Sequence, residues 1–153
     1  MVKKPRQLDT IDKHIILILQ KDARTPFKLI AQQLSVSEGT VSNRYNRLVK
    51  DGILKLEAKI DPFALPNKVT ALVGVTLKER TTDETMGKIM AIEGVNCVWN
   101  ATGRYDLFFE LIADSLSELN DILFRENLDG FTDIDHTETF VTLSGINKYY
   151  TLY

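Results

Sequence analysis

The sequence predicts an α+β chain in two parts, three helices followed by a βαββαβ sandwich. Three observations predict it. Apolar residues recur at helical spacing as far as Leu48, the segments from Thr70 onward carry strand-like patterning, and Asp61-Pro62 and Leu65-Pro66-Asn67 break regular structure between them. With 153 residues, 44% hydrophobic and 26% charged, the chain suits one ordinary domain or two small ones and is apolar enough to fold.

The leading helix places Leu8, Ile11, Ile15, Ile18 and Leu19 on its inner face, with Asp9 as N-cap. Residues Pro26 to Gly52 then read as helix, tight polar turn, helix. The first of this pair can start from Thr25 as N-cap, with Pro26 at the first helical position, where a missing N–H costs nothing. Phe27, Ile30, Ala31 and Leu34 form its buried stripe. Ser37 caps the second helix, and Val36 and Val41 occupy the two positions of a hydrophobic staple. Val41, Tyr45 and Leu48 point inward and Gly52 ends the helix.

Outward on that helix remain Glu38, Gly39, Thr40, Ser42, Asn43, Arg44, Asn46 and Arg47. Small and amide side chains near a helix N-terminus reach base edges in DNA, and arginines fork onto guanine or clamp phosphates. The same residues also fit a plain solvated helix face, so the surroundings must decide. Downstream, ILKLEAKID alternates apolar and polar residues, which predicts a short β wing completing a winged helix-turn-helix.

Charge supports the DNA reading. The net charge is −2, but it is unevenly placed. Residues 1–62 hold 12 Lys/Arg against 7 Asp/Glu, and residues 63–153 hold 7 against 14. A basic front half can neutralise phosphates, and an acidic back half would repel DNA and keep the complex oriented. Lys3, Lys4 and Arg6 either add nonspecific backbone contacts or form a frayed, solvated tail.

The back half reads as strand, helix, strand, strand, helix, strand. Thr70 to Lys78 is β-rich; Asp83 to Ile92 is helical, with Met86, Ile89 and Met90 on one face and Gly94 beyond its end. Val95 to Thr102 and Tyr105 to Ala113 are strands on either side of Gly103-Arg104. Ser115 and Glu118 form a capping box for a helix with Leu116, Leu119, Ile122 and Leu123 inward, and Asp133 to Leu143 closes the set. Two βαβ-like halves in this order make a ferredoxin-like sandwich with both helices on one side of the sheet. TALVGVTL and DLFFELIA are apolar on both alternating faces, so the face without helices needs cover, most simply from a second subunit. The expected division is residues 1–60 for the winged helix-turn-helix, 61–69 for a linker and 70–153 for the ferredoxin-like domain.

Catalytic signals are few. There is no HExxH, CxxC, Walker loop or GxSxG, and His14 and His136 stand far apart in sequence, so no enzyme, metal or cofactor is expected. Cys97, the single cysteine, reads as a small buried strand residue, and it excludes an intramolecular disulfide. No apolar run is long enough to span a bilayer, and MVKKPRQLDT lacks the apolar core of a signal peptide, which points to the cytoplasm.

LDTIDKHIILILQKDART, the helix pair with SVSEGTVSNRYNRLVKDGIL, the wing ending at Asp61-Pro62, the turn Thr102 to Asp106 and HTET at His136 to Thr139 form an ordered set. That set resembles the leucine-responsive regulatory protein/AsnC family of prokaryotic transcription regulators. The resemblance covers about Leu8 to Leu143. It implies dimers that assemble further into tetramers or octamers, small effectors that are usually amino acids, and a nucleoid-associated cytoplasmic protein. On this chain it implies DNA contacts from Ser37, Glu38, Gly39, Thr40, Ser42, Asn43, Arg44 and Arg47. Family members usually carry a small aliphatic residue where this chain has Tyr45, whose ring is read as helix packing. The resemblance also implies an effector pocket lined by Gly103, Arg104, Tyr105, Asp106, Thr137, Glu138 and Thr139, with Trp99 and Asn100 nearby. Turn N–H groups and hydroxyls can hold a carboxylate, and Asp106 or Glu138 could pair with an ammonium group. G-R-Y-D is equally a good tight hairpin turn. Two other readings are carried: a subunit similar to sirohaem decarboxylase, which the acidic back half with its single histidine disfavours, and a sensing oligomer with vestigial DNA binding.

Overall fold

The computed structural model describes residues 6–79, 83–123 and 131–152, and the chain divides into two compact units, residues 1–57 and 58–153. The first unit holds α1 (Thr10–Lys21), α2 (Phe27–Leu34) and α3 (Glu38–Lys50). Ile15 and Leu19 of α1, Ile30 and Ala31 of α2, and Val41 and Leu48 of α3 meet with Leu54 in one buried core. The helical spacing of these apolar residues is what makes three short helices pack, because none would be stable alone.

The helix ends follow local chemistry. The Asp9 carboxylate accepts the Asp12 N–H at 2.8 Å and caps α1. Ser37 accepts the Thr40 N–H at 3.1 Å and caps α3, while Val36 packs against the core that contains Val41. At the far end of α3, Gly52 takes φ 66°. The N–H groups of Gly52 and Ile53 then close on the carbonyls of Val49 and Leu48, both at 2.9 Å. α2 departs from expectation: its N-cap is Pro26, not Thr25. The Thr25 hydroxyl instead donates to the Asp22 carbonyl at 2.8 Å, which closes the preceding turn and takes it away from the helix. Ser35, left-handed at φ 54°, ends α2 and makes the tight turn into α3.

The expected β wing is not formed as a ladder. Residues 54–59 are without assigned secondary structure, and Ile60 makes an isolated bridge to Tyr150 with N–O distances of 2.8 and 2.9 Å. A strand exists only with a partner, and alternation in sequence does not supply one. The stretch 61–69, expected as a linker, lies within the second unit and includes a 3-10 turn at Pro62–Ala64 capped by Asp61.

The second unit contains β1 (Val69–Leu77), α4 (Asp83–Met90), β2 (Val95–Asn100), β3 (Leu107–Ala113), α5 (Leu116–Asp121) and β4 (Ile134–Val141). The strands form an antiparallel sheet in the order β2-β3-β1-β4, the ferredoxin-like arrangement. Ala71, Val73, Val75 and Leu77 of β1 and Leu107, Phe109, Leu111 and Ala113 of β3 line one face, and meet Ile89, Ile92, Leu119 and Leu123. Within the helices the inward stripes differ from those expected. Thr85 and Ile89 are buried and Met90 is 47% exposed, since Met90 stands one residue, and so about 100° of helix, away from Ile89. Leu116 at the start of α5 is 62% exposed; Leu119 and Leu123, four apart, carry that contact. Ser115 accepts the Glu118 N–H as predicted, but the Glu118 carboxylate reaches the N–H of Asp114, one residue before the reciprocal position. Cys97 is exposed, not buried. It sits on the edge strand β2 past a register shift, opposite Glu110 on the face away from the helices.

Replacing Phe109, fully buried at the sheet centre, with Ala should cost about 3–5 kcal/mol of stability, read as a lower urea midpoint at unchanged slope.

Candidate nucleic-acid interface and effector turn

The core described above fixes α3 by Val41 and Leu48, so the rest of the helix faces outward. Tyr45 is half-buried and packs against Phe27 with ring centroids 5.1 Å apart, in the helix-packing role expected of it. Ser37, Glu38, Gly39, Asn43 and Arg47 are exposed, and Thr40 and Ser42 are partly so. The Thr40 hydroxyl lies 2.8 Å from that of Ser37, which gathers two polar groups at the helix N-terminus.

Arg44 behaves differently from the rest of this set. Its Nη1 donates to Asp9 Oδ2 at 2.5 Å and to Asp12 Oδ1 at 2.8 Å, tying α3 back to α1. Arg47 Nη2 stands 3.7 Å from the same Asp12 oxygen. Arg6 donates to Asp12 Oδ2 at 3.0 Å and to Asp51 at 2.7 Å, so it is held in place and not frayed. Lys3 and Lys4 lie outside the described residues. Asp12 itself is 1% exposed. A carboxylate buried this deeply is tolerated only when cations and hydrogen bonds surround it. Its signal was present in the sequence: an acid at the spacing of the buried stripe, three residues before Ile15.

Hydrogen bonding by the Asp12 backbone N–H, and next by the Arg44 side chain, holds the Asp9 carboxyl below the usual carboxylate range. A depressed folded value gives stability that is present above the unfolded pKa and is lost as pH falls through the folded one.

In the second unit the predicted effector residues separate into two groups. The Tyr105 hydroxyl donates to Glu138 Oε2, Arg104 Nη2 lies 3.4 Å from the same oxygen, and the guanidinium sits 5.4 Å from the Tyr105 ring centroid. Gly103, exposed at φ 129°, makes the turn beside them. Thr137 and Thr139 pair with Val75 and Val73, which face the helices; Glu138 pairs with Gly74, which faces the other way. The two threonines therefore stand on the opposite side of the sheet from Tyr105 and Glu138. Asp106 is taken up by the fold: its carboxylate accepts the Leu77 N–H at 2.8 Å and its own N–H donates to the Val75 carbonyl at 2.9 Å.

Gly74 was not singled out from the sequence. A Cβ there would stand 2.9 Å from the Tyr105 ring and 3.1 Å from Phe108, so only glycine lets that ring lie flat on β1. A lone glycine inside an apolar strand was the available signal. Tyr105 in turn packs edge-on to Phe108 at 5.2 Å, and Phe108 stacks on Trp99 at 5.9 Å. These rings, with Leu72 and with Phe140 at 44% exposed, make the sheet face that no helix among the described residues covers.

Replacing Arg44 with Gln should raise the Asp9 carboxyl toward its ordinary value, stopping short of it because the Asp12 N–H still donates. A pH titration of the Asp9 side-chain carbonyl by NMR reads this directly; an unmoved value would assign the whole shift to the helix cap.

Known proteins share both units. Residues 8–55 match the winged helix-turn-helix DNA-binding family and residues 70–152 match the Lrp/AsnC ligand binding domain. An uncharacterized HTH-type transcriptional regulator of Pyrococcus furiosus is 33% identical over 93% of this chain and 95% of its own length. The solved structure of Escherichia coli AsnC superposes with a TM-score of 0.72 at 25% identity, covering 92% of this chain and 95% of that one. A transcriptional regulator of Neisseria meningitidis, solved as a complex with L-Met, shares the fold with a TM-score of 0.72 at 16% identity over 96% of this chain and 97% of that one. With a DNA-reading helix pair in one unit and a ligand-binding sandwich in the other, the chain belongs to the Lrp/AsnC family of transcriptional regulators.

Proposed function

We propose that α3 reads an operator through Ser42 and Asn43 at base edges, with Ser37, Glu38, Gly39 and Thr40 at the helix N-terminus close to the backbone and Arg47 on phosphate or guanine. The carrying observation is the division of labour along α3: Asn43 and Arg47 are exposed, while Arg44 is turned onto Asp9 and Asp12. Arg44 accordingly acts by holding the helix in place. In a two-fold dimer the two α3 helices would enter successive major-groove faces about one helical turn apart, so the operator is an imperfect palindrome.

The effector is read as an amino acid held on the outward sheet face at Gly103, Arg104, Tyr105 and Glu138. Arg104 offers a cation for a carboxylate and Glu138 an acceptor for an ammonium group. Asp106 keeps the turn in register with β1, and Thr137 and Thr139 shape β4 from its other side. A second copy of the chain covers the aromatic face around Trp99, Phe108 and Phe140, and dimers assemble further into tetramers or octamers. Effector binding favours one assembly over another and so changes avidity for DNA. The reading is of a protein that acts by binding; His14 and His136 are both exposed and lie in different units. Its expected place is the cytoplasm, on the nucleoid.

The test is binding to DNA from upstream of the protein's own gene, with and without pooled amino acids. Salt-sensitive, sequence-preferring binding that the pool shifts is expected, and no binding above a random duplex would remove the regulator reading. Asn43→Ala should cost about 1–3 kcal/mol of discrimination against wrong bases while leaving random-DNA affinity unchanged. Glu138→Gln should abolish the response to the pool and leave DNA binding in its absence intact; a variant that still responds would move the effector site elsewhere.

A further inference from the structure

Three arginines stand on or beside the DNA-facing surface of the first unit, and each has a carboxylate within ion-pair distance. Arg44 lies between Asp9 and Asp12, Arg6 between Asp12 and Asp51, and Arg47 stands 3.7 Å from Asp12. Asp12 is common to all three, and it is the buried member of the group. Arg6, Arg44 and Arg47 against Asp9, Asp12 and Asp51 sum to no net charge. The surface therefore shows DNA less positive charge than its arginines suggest.

From this we infer that Asp12 is a specificity-determining residue of the DNA-binding unit, one that withholds Arg6 and Arg44, its two hydrogen-bonded arginines, from phosphate and leaves the more exposed Arg47 able to reach DNA. Phosphate contacts raise affinity for every duplex alike, because each releases counterions whatever the sequence. A guanidinium engaged by a buried carboxylate must break that pairing before it clamps a phosphate, so its contribution to random DNA is small. Base-edge contacts from the uncharged residues of α3 are unaffected. The carboxylate thus trades total affinity for the ratio between operator and random sequence. Asp12 acts through the arginines and not on DNA itself, which makes it a positioning residue. The inference rests on α3 facing DNA.

The test is a salt series of binding titrations with the full chain, on the duplex from upstream of its own gene and on a random duplex. Wild type is compared with Asp12→Asn and Asp9→Asn. Asp12→Asn should steepen the slope of log K against log salt by about 0.9 for each arginine released to a phosphate. Affinity for the random duplex should rise more than that for the operator, and their ratio should fall several-fold. Asp9→Asn removes the charge while keeping the helix cap, because asparagine caps as well as aspartate, so it tests the same idea without disturbing the fold. Its slope should steepen by about 0.9 at most, since Asp12 still holds Arg44. Wild-type slopes in both variants, or equal losses on both duplexes, would make Asp12 merely structural and overturn the inference. Should Asp12→Asn fail to fold, Arg6→Gln decides: an arginine withheld from phosphate leaves the slope at its wild-type value when it is removed, and a slope shallower by about 0.9 would overturn the inference. Absence of salt-sensitive binding by the wild-type chain to either duplex would overturn the DNA-facing reading of α3 together with this one.

Discussion

Strand β1 is the constraint on which the ligand-binding unit depends. It is hydrogen-bonded along both edges, to β3 and to β4, and it is buried along most of its length. Because side chains alternate, its register assigns every neighbour to a face. Val73 and Val75 enter the helix-covered core, and Gly74 between them faces the other way. That single assignment places Glu138 and Phe108 beside Gly74 and leaves room for the Tyr105 ring. Asp106 then locks the turn to the end of β1 through the Leu77 N–H. The turn and the last strand, 33 residues apart at Tyr105 and Glu138, meet because both are registered against one strand.

The first unit has a different anchor. Its apolar core is small and is shared by three short helices. A buried carboxylate on α1, reached by arginines from the N-terminal segment and from α3, adds direction to that packing. Apolar contacts are non-directional and tolerate small rotations of a helix. An Asp12 oxygen 2.8 Å from Arg44 does not. Helix α3 is thus oriented by charge as well as by burial.

The second unit leaves a surface unfinished. The sheet face with Trp99, Phe108 and Phe140 is rich in aromatic rings and carries no helix among the described residues, and Leu143 and Ile146 in the C-terminal segment are more than 90% exposed. Part of that segment is tied down: Lys148 pairs with Glu110 at 2.5 Å, and Tyr150 is buried where it bridges Ile60. Anchored backbone with exposed large apolar side chains is the pattern of a surface completed by another molecule.

Local chemistry decided much of this protein within the sequence itself. The caps at Asp9 and Ser37, the Gly52 stop, the helical stripe through Val41 and Leu48, and the βαββαβ order depend on neighbours a few residues away, and all were legible there. The exposed residues of α3 were legible for the same reason. Tertiary structure alone decided which polar side chains are available to a ligand. Arg44 and Asp106 have the chemistry of binding residues, yet partners 32 and 29 residues away claim them. Thr137 and Thr139 adjoin Glu138 in sequence but stand on the other face, because strand periodicity separates neighbours that a motif groups together. Cys97 turned outward through a register shift, and the wing lacked a ladder because pairing needs a partner. Residue type and spacing specify helices and strands through short-range forces, whereas the partner of a charge or of a strand edge is chosen only when distant segments meet.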